Sequence, residues 1–441
     1  MSPPTRSRPA GQPLAGRSMA IGALAVLLTL PACAQAPVPG PRPADPAATV
    51  APAGTTSTQE AAFARWLNGV RTEAIRRGIR PTTVDRAFAG LSANPRVVEL
   101  DRRQPEFTST FWGYFGKAVS DTRVETGRAM LARHRALLER VSRQTGVPPE
   151  VLLAFWGLES NYGSNTGGFN VIEALATLAH DGRRGAFFRE QLLTALEILD
   201  QGHITPEAMQ GSWAGAMGQM QFMPTTFRDH AVDGTGDGRA DIWTSVPDAF
   251  ASAGAFLSRI GWRAGERWGR QVRLPAGYDH ARSGLDQWQP LATWRALGVT
   301  RADGGPLPGG PQMSAALLMP AGHRGPTFLV YHNFRVIMRW NNSSFYALAV
   351  GHLSDRIAGQ GPLIGVFNRD QTPLRRDDVE ILQGLLNGLG YQAGAPDGLL
   401  GPNTRAAIKR FQAARGLPAD GYADPALLAR VRRAAAGLDP T

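Results

Sequence analysis

Cysteine is almost absent from this sequence: Cys33 is the only one among 441 residues. A single cysteine cannot form a disulfide within the chain, and it cannot supply the set of thiolates that a cysteine-based zinc site needs. The eight histidines form no H-E-x-x-H pattern or comparable pair. These absences argue against a zinc-dependent amidase or peptidase.

Long hydrophobic runs are also missing, since the apolar stretch at residues 19–30 is too short to cross a membrane comfortably. Arg6, Arg8 and Arg17 precede this stretch, and the small-residue sequence "PACAQA" follows it. That order of charged, apolar and small residues is typical of a cleavable export signal. We therefore assign residues 1–36 to a signal peptide and expect an exported protein.

The position of Cys33 leaves two outcomes of this cleavage open. The cysteine stands in "LPAC", which resembles a bacterial lipoprotein box with Pro31 at an unusual middle position. Lipidation of Cys33 would anchor the protein to the outer membrane, whereas cleavage at "ACA" or "AQA" would discard the cysteine. Either outcome predicts a periplasmic protein, and the composition of residues 37–58 predicts a flexible tether.

The net charge favours an anionic partner. It is +11 for the whole chain, and removing Arg6, Arg8 and Arg17 with the leader leaves +8. The arginines are spread along the chain, and no nucleic-acid-binding motif is present. In an exported protein this pattern indicates the cell wall or the envelope surface as the partner.

Apolar residues recur at helical spacing from about 63 to 143, which predicts a helical N-terminal portion. Further helices are expected at 148–160, 170–180 and 186–201. Between about 262 and 338, Gly- and Pro-rich turns separate two β-like runs, "RQVRLP" and "TFLVYHNFRVIMRW". We therefore predict a mainly α-helical protein with a small β-containing insertion.

Glu159 is the candidate for chemistry in the helix predicted at 148–160. It lies four residues after Phe155 and three after Trp156, on or beside an apolar stripe. A carboxyl group that loses water there has a raised pKa and can donate a proton near neutral pH. The stripe alone also allows a helix-terminal glutamate that points to solvent.

Three separated segments decide between these readings. They are "PPEVLLAFWGLESNYGSNTGGFNVIEALATLA", "GSWAGAMGQMQFMPTTF" and "NFRVIMRWNNSSFYALAVGHLSDRI", in that order. Together they closely resemble the lytic murein transglycosylases of the membrane-bound B type, in the lysozyme-like superfamily. The resemblance covers about residues 60–360 and implies a lysozyme-like catalytic domain.

The resemblance assigns roles residue by residue. Glu159 falls on the family's sole catalytic acid and base, and Tyr162 falls on the aromatic position of the same motif, where the resemblance implies contact with substrate. Ser212, Gln221 and Asn341 fall on positions that imply contact with substrate, although short polar groups also serve as turn or capping residues. Trp340 stands where the family often has tyrosine, so no hydroxyl role is carried over.

Such enzymes cleave between N-acetylmuramic acid and N-acetylglucosamine without water and leave a 1,6-anhydro ring. A hydrolytic muramidase would instead need a second carboxylate about 5 to 10 Å from the first. Glu173, Asp181 and Glu190 are the candidates for that group, and surface or ion-pair roles are the alternative for each. A non-catalytic wall-binding protein that kept the fold also remains open.

Residues 233–244, "DGTGDGRADIWT", have the outline of a calcium loop. Thr244 stands at the twelfth position, where such a loop needs a bidentate glutamate. The related transglycosylases close a loop of this kind with a more distant aspartate, which implies a structural Ca²⁺ here. An ion-free Asp/Gly turn is the alternative. The ligands expected for Ca²⁺ are Asp233, Thr235, Asp237, the Arg239 carbonyl and Asp248.

The C-terminal residues 374–434 resemble the three-helix peptidoglycan-binding module. The matching segments are "LQGLLNGLGY", "DGLLGPNTRAAIKRFQ" and "GLPADGYAD". With a catalytic domain at 59–360 and a linker at 361–373, the module would hold the enzyme on its solid substrate. The reaction itself requires no cofactor in this family, and the implied partner is the glycan strand of peptidoglycan.

Overall fold

The structure is a computed structural model that describes residues 54–102 and 109–438. The predicted signal peptide, Cys33 and most of the predicted tether lie outside the described residues. Helix α1 begins at Gly54, so the last residues assigned to the tether are helical. No helix among the described residues is both long and apolar enough to cross a membrane.

The described residues before 146 form six helices, and their helical spacing predicts this arrangement. Thr110 and Ser120 cap the fourth and fifth by accepting hydrogen bonds from the backbone N–H groups of Gly113 and Arg123. The six are α1 (Gly54–Arg76), α2 (Pro81–Phe88), α3 (Pro95–Arg102), α4 (Phe111–Ala118), α5 (Asp121–Arg133) and α6 (Arg135–Thr145).

Helix α7 (Pro149–Ser160) is the central helix of the main core, and every residue from Val151 to Ser160 is buried. Such all-round burial is typical of a helix surrounded by other elements. Helices α5, α6 and α14 pack on it. Outside the sheet insertion, the other α-helices described between residues 161 and 360 are α8 (Val171–Asp181), α9 (Gly185–Asp200), α10 (Pro224–His230), α11 (Val246–Arg259), α13 (His332–Trp340) and α14 (Ser344–Ile357).

A short pair of antiparallel strands brings the second motif segment next to the first. Strand β1 (Phe169–Asn170) pairs with β2 (Gln210–Gly211). A Cβ atom at Gly211 would lie 2.2 Å from the Ala216 carbonyl oxygen, so only glycine permits this turn to close. The "GSWAGAMGQMQFM" segment therefore folds back on itself beside the core.

The predicted insertion is an antiparallel sheet with strand order β4-β6-β7-β3-β5. A small helix, α12 (Leu291–Ala296), lies between β4 and β5, and Trp294 is buried in the separate core of this region. The strands are β3 (Gly269–Arg273), β4 (Gln289–Pro290), β5 (Thr300–Arg301), β6 (Ser314–Leu318) and β7 (Thr327–Val330).

One β-like run was misread from the sequence. In "TFLVYHNFRVIMRW" only Thr327–Val330 is a strand, and helix α13 begins at His332 and continues to Trp340. The β-branched Val336 and Ile337 favour a strand by propensity. The spacing of the buried Phe334, Ile337 and Trp340 is helical, however, and tertiary packing of that face decides the outcome.

The C-terminal residues form the expected three helices around their own core, which includes Leu382, Ile408 and Phe411. This module contacts the sheet insertion: the Lys409 ammonium donates to the carbonyl oxygens of Ala281 and Ser283. The helices are α15 (Arg376–Gly388), α16 (Pro402–Ala414) and α17 (Pro425–Ala435).

Candidate active site

Glu159 lies in the last turn of α7, where its side chain is 9% exposed. Its Oε1 atom accepts two hydrogen bonds, one from the indole N–H of Trp340 at 2.9 Å and one from the Tyr346 hydroxyl at 2.5 Å. Within the described residues Oε2 has no hydrogen-bond partner. The carboxyl group is therefore fixed through one oxygen and available through the other.

Burial raises the pKa of Glu159 from its ordinary value of 4.5 to about 7, and the hydrogen bonds from Tyr346 and Trp340 offset part of that rise. No charged neighbour is among the causes of the shift. The group is consequently close to half protonated at neutral pH. That is the state in which one carboxyl can donate a proton and later accept one.

Trp340 holds its position through aromatic packing. Its ring lies 4.4 Å from Phe155, 5.0 Å from Phe256 and 5.4 Å from Phe222, measured between centroids. These contacts join the end of α13 to α7, α11 and the "QFMP" segment. The indole N–H is thereby aimed at Glu159 by a rigid apolar cluster.

The candidate second acids have other partners. Glu173 accepts a hydrogen bond from the Asn94 side chain at 2.8 Å, Asp181 pairs with Arg102 at 3.0 Å, and Glu190 pairs with Arg77 at 3.0 Å. Each therefore fits the structural alternative considered from the sequence. None of them hydrogen-bonds to Glu159.

Gln221 and Asn341 are nearly buried, at 8% and 2% exposed. Across residues 54–102 and 109–438, neither Oε1 of Gln221 nor Oδ1 of Asn341 has a hydrogen-bond donor. Gln221 also adopts a left-handed backbone conformation, with φ of 49°, which is strained for a non-glycine residue. Buried acceptors without donors are typical of groups that bind a ligand.

Ser212 and Tyr162 are placed differently from the expectation. The Ser212 hydroxyl is fully buried and accepts from the backbone N–H groups of Ala214 and Ala216, so it organises the turn. The Tyr162 hydroxyl donates to the Arg123 carbonyl at 2.7 Å, which directs its ring to helix α5. Both side chains support the frame of the site instead of reaching into it.

The predicted calcium ligands do not converge. No group of three or more His, Cys, Asp or Glu side chains in the described part of the chain is arranged to hold a metal ion. Asp233 accepts hydrogen bonds from four backbone N–H groups, those of Thr235, Gly236, Asp237 and Gly238. Asp248 is fully buried, and the backbone N–H groups of Gly234 and Asp241 each donate to one of its oxygens.

These carboxylates close the loop directly, as in the ion-free alternative. Neither Thr235 nor Asp237 completes a cage around an ion, and Arg239 belongs to a turn in which its N–H donates to Asp237 at 2.9 Å. The donor set therefore does not fit Ca²⁺, which needs six to eight converging oxygens.

Tyr346 is a residue of the candidate site that the sequence analysis does not identify, and Trp340 enters that analysis only for a missing hydroxyl. Both lie in the third motif segment, so their signal was present. Their contact with Glu159 depends on α13 and α14 folding back onto α7, which periodicity does not predict. The "ESNYG" motif thus receives its hydrogen-bond donors from a segment far along the chain.

Two parts of the chain match known protein families. Residues 62–355 match the family described as transglycosylase SLT domain, and residues 375–431 match a peptidoglycan binding domain. The chain is 31% identical over 251 residues to membrane-bound lytic murein transglycosylase B of Escherichia coli K12. That alignment covers 56% of this chain and 66% of the relative.

Two solved structures are similar. SltB3 from Pseudomonas aeruginosa, in complex with NAG-anhNAM-pentapeptide, has a TM-score of 0.82 and 50% identity, covering 84% of this chain and 99% of that one. The Escherichia coli lytic transglycosylase Slt35, in complex with calcium, has a TM-score of 0.58 and 27% identity. It covers 66% of this chain and 92% of that one.

Proposed function

This chain belongs to the transglycosylase SLT-domain family of peptidoglycan lytic transglycosylases, and we propose that Glu159 is the only acid and base of its reaction. The bond cleaved lies between N-acetylmuramic acid and N-acetylglucosamine. The observation that carries the proposal is the buried Glu159 carboxyl, held at one oxygen by two neutral donors.

The first step is proton donation. Protonated Glu159 gives its proton to the glycosidic oxygen, and the bond from that oxygen to C1 of N-acetylmuramic acid breaks with the electron pair leaving on oxygen. The positive charge that develops at C1 faces the carboxylate just formed. Trp340 and Tyr346 stabilise that carboxylate, because both donate to it.

The second step returns the proton. The Glu159 carboxylate removes the proton from the C6 hydroxyl of the same muramic acid, and the C6 oxygen attacks C1. A 1,6-anhydro ring closes, and Glu159 is again protonated. No water enters the products, so a second carboxylate to activate water is not needed.

Gln221 and Asn341 position the sugar in this proposal. Their side-chain oxygens can accept hydrogen bonds from saccharide hydroxyl or acetamido N–H groups, which would satisfy two otherwise unpaired buried acceptors. Ser212 and Tyr162 act indirectly. Ser212 holds the turn that follows strand β2, and Tyr162 holds the loop that follows helix α7.

The domain division and location are also part of the proposal. Residues 59–360 carry out catalysis, 361–373 connect, and 374–434 bind the wall and raise the local concentration of glycan. The leader at 1–36 directs the chain to the periplasm, and lipidation at Cys33 anchors it to the outer membrane. Mass spectrometry of the mature N-terminus tests the anchor, since cleavage behind Cys33 would rule it out.

The reaction is tested by mass spectrometry of fragments released from purified peptidoglycan by the mature protein and by Glu159→Gln. We expect fragments that end in 1,6-anhydro-muramic acid, and none above background with the variant. Release of fragments with reducing muramic acid ends would identify a muramidase instead. A fully active Glu159→Gln variant would remove Glu159 from the reaction.

A further inference from the structure

A cleft of about 290 Å³ lies beside the catalytic helices, between the outer face of α13 and the sheet insertion. Its α13 side carries two arginines four residues apart, which places them on one helix face. The residues that line it are Leu285, Trp288, Arg335, Met338, Arg339 and Asn342.

Arg335 is held against an aromatic wall. Its guanidinium carbon lies 3.5 Å from the centroid of the Trp288 ring, and Trp288 is itself partly buried. Stacking fixes the plane of the guanidinium and leaves its N–H edge available. A preoriented N–H fork of this kind matches the two oxygens of a carboxylate.

The cleft carries positive charge without a compensating acid. Neither Arg335 nor Arg339 forms an ion pair with a carboxylate in the described part of the chain, and Arg339 donates only to the Ile260 carbonyl. Burial and the nearby charges of Arg339 and Arg263 lower the pKa of Arg335. Arg263 is 3.5 Å from Glu266, so that acid is already engaged.

The cleft lies along helix α13, which also carries Trp340, the indole donor to Glu159. Arg335 precedes Trp340 by five residues on α13, which corresponds to about 7.5 Å along the helix axis. Asn342, at the other end of the cleft, directly follows Asn341. A pentapeptide can extend about 17 Å, so a peptide attached to a sugar at the site can reach the cleft.

We propose that this cleft binds a carboxylate of the peptide stem carried by N-acetylmuramic acid, through the guanidinium groups of Arg335 and Arg339. The stem ends in a carboxylate and carries acidic side groups, whereas the glycan backbone offers a much lower density of charge. The inference rests on the proposed function: it takes peptidoglycan as the substrate and identifies where the peptide part of that substrate binds.

The test is titration calorimetry with the mature chain carrying Glu159→Gln, so that binding is measured without turnover. The ligands are the tetrasaccharide NAG-NAM-NAG-NAM with pentapeptide stems and a peptide-free form of the same tetrasaccharide in which each lactyl carboxyl is capped as a simple amide. Arg335→Gln is added to the Glu159→Gln chain. Arg65→Gln, an exposed arginine of α1, is the matched control for loss of one positive charge.

We expect Arg335→Gln to weaken binding of the peptide-bearing ligand about tenfold more than binding of the peptide-free ligand. Arg335→Lys, which keeps the charge and loses the stacked fork, should retain part of that difference, and Arg65→Gln should show none. The same melting temperature in all variants would show that they fold.

Equal losses for both ligands, or no loss for either, would overturn the proposal. The proposed reaction is judged separately, by whether the protein with Glu159 intact releases anhydro ends. If Arg335→Gln weakens binding of the peptide-bearing ligand more than that of the peptide-free ligand, but no anhydro ends are released, the assignment of the cleft stands and the proposed reaction is rejected. Anhydro products without a peptide-dependent loss would do the reverse.

Discussion

Trp340 donates its indole N–H to Oε1 of Glu159 at 2.9 Å, although 181 residues separate the two in the sequence. The Tyr346 hydroxyl donates to the same oxygen from α14. The carboxyl proposed to be catalytic is thus oriented by neutral donors, and its pKa is set mainly by burial. The protonation state of Glu159 therefore depends on how completely the packing around α7 buries its carboxyl group.

Activity should fall as the pH rises through about 7. The acid form of Glu159 starts the reaction, and its pKa is about 7 because burial disfavours the carboxylate. Above that pH, kcat/KM on soluble glycan should decrease about tenfold per pH unit. A profile of kcat/KM between pH 5 and 9 measures this limb, and a flat profile up to pH 9 would contradict the assignment of Glu159 as the acid.

Stability should also depend on the protonation of Glu159. Its pKa is about 7 when folded and 4.5 ordinarily, so between these values the folded chain binds more protons than the unfolded chain. The contribution of Glu159 to the free energy of unfolding therefore decreases as the pH rises from 4.5 to 7, by up to about 3 kcal/mol.

Glu159→Gln removes this dependence because it carries no charge. Urea unfolding at pH 5 and pH 8 should show that the variant gains stability relative to the unchanged protein at pH 8, with little gain at pH 5. An equal difference at both pH values would mean that the pKa of Glu159 is not raised by folding.

Trp340→Phe tests the indole donor. The variant keeps an aromatic ring among Phe155, Phe222 and Phe256 but loses the N–H, which lowers the pKa of Glu159 in the unchanged protein. The alkaline limb of the pH profile should therefore move to higher pH, and kcat should fall about three- to tenfold.

Tyr346→Phe is the matched comparison, because it removes the other donor to the same oxygen. Its effect on the alkaline limb should have the same direction and be at least as large, since the Tyr346 hydrogen bond is the stronger influence on the pKa of Glu159. If both variants lose activity without moving the limb, the two residues act only through packing.

The 233–248 loop should be stable without calcium. The two oxygens of Asp248 accept backbone hydrogen bonds of 3.0 and 2.8 Å, so Asp248→Asn leaves one buried N–H without an acceptor. We expect a loss of about 1–3 kcal/mol in the free energy of unfolding. Millimolar CaCl₂ should not change the melting temperature of the unchanged protein, and a rise of several degrees would establish an ion site.

The helix that carries Glu159 and the C-terminal module could be predicted because their signals are local. Pro149 begins α7, apolar residues fill it, and the three helices 376–388, 402–414 and 425–435 follow periodic cores. The location of Glu159 at the end of a buried helix was likewise expected from its spacing to Phe155. The apolar pattern predicts the structure correctly where a helix buries the apolar face that its own sequence creates.

The rest of the site depends on contacts between distant segments. Tyr162 lies two residues after the end of α7 and has a φ of 60°, and this left-handed turn directs its ring toward α5, which a motif position does not reveal. Trp340 lies in a helix whose β-branched residues suggested a strand. The loop carboxylates of Asp233 and Asp248 accept hydrogen bonds from backbone amides. Sequence spacing alone does not show whether such carboxylates bind amides or a metal ion.

Cleavage of purified peptidoglycan in H₂¹⁸O is the most direct test of the central claim, that Glu159 alone closes the anhydro ring without water. Fragments released by the mature protein should be 1,6-anhydro-muropeptides that contain no ¹⁸O, and Glu159→Gln should release none. Reducing-end fragments that each carry one ¹⁸O at C1 would contradict the claim, because they require an attacking water and a group to activate it.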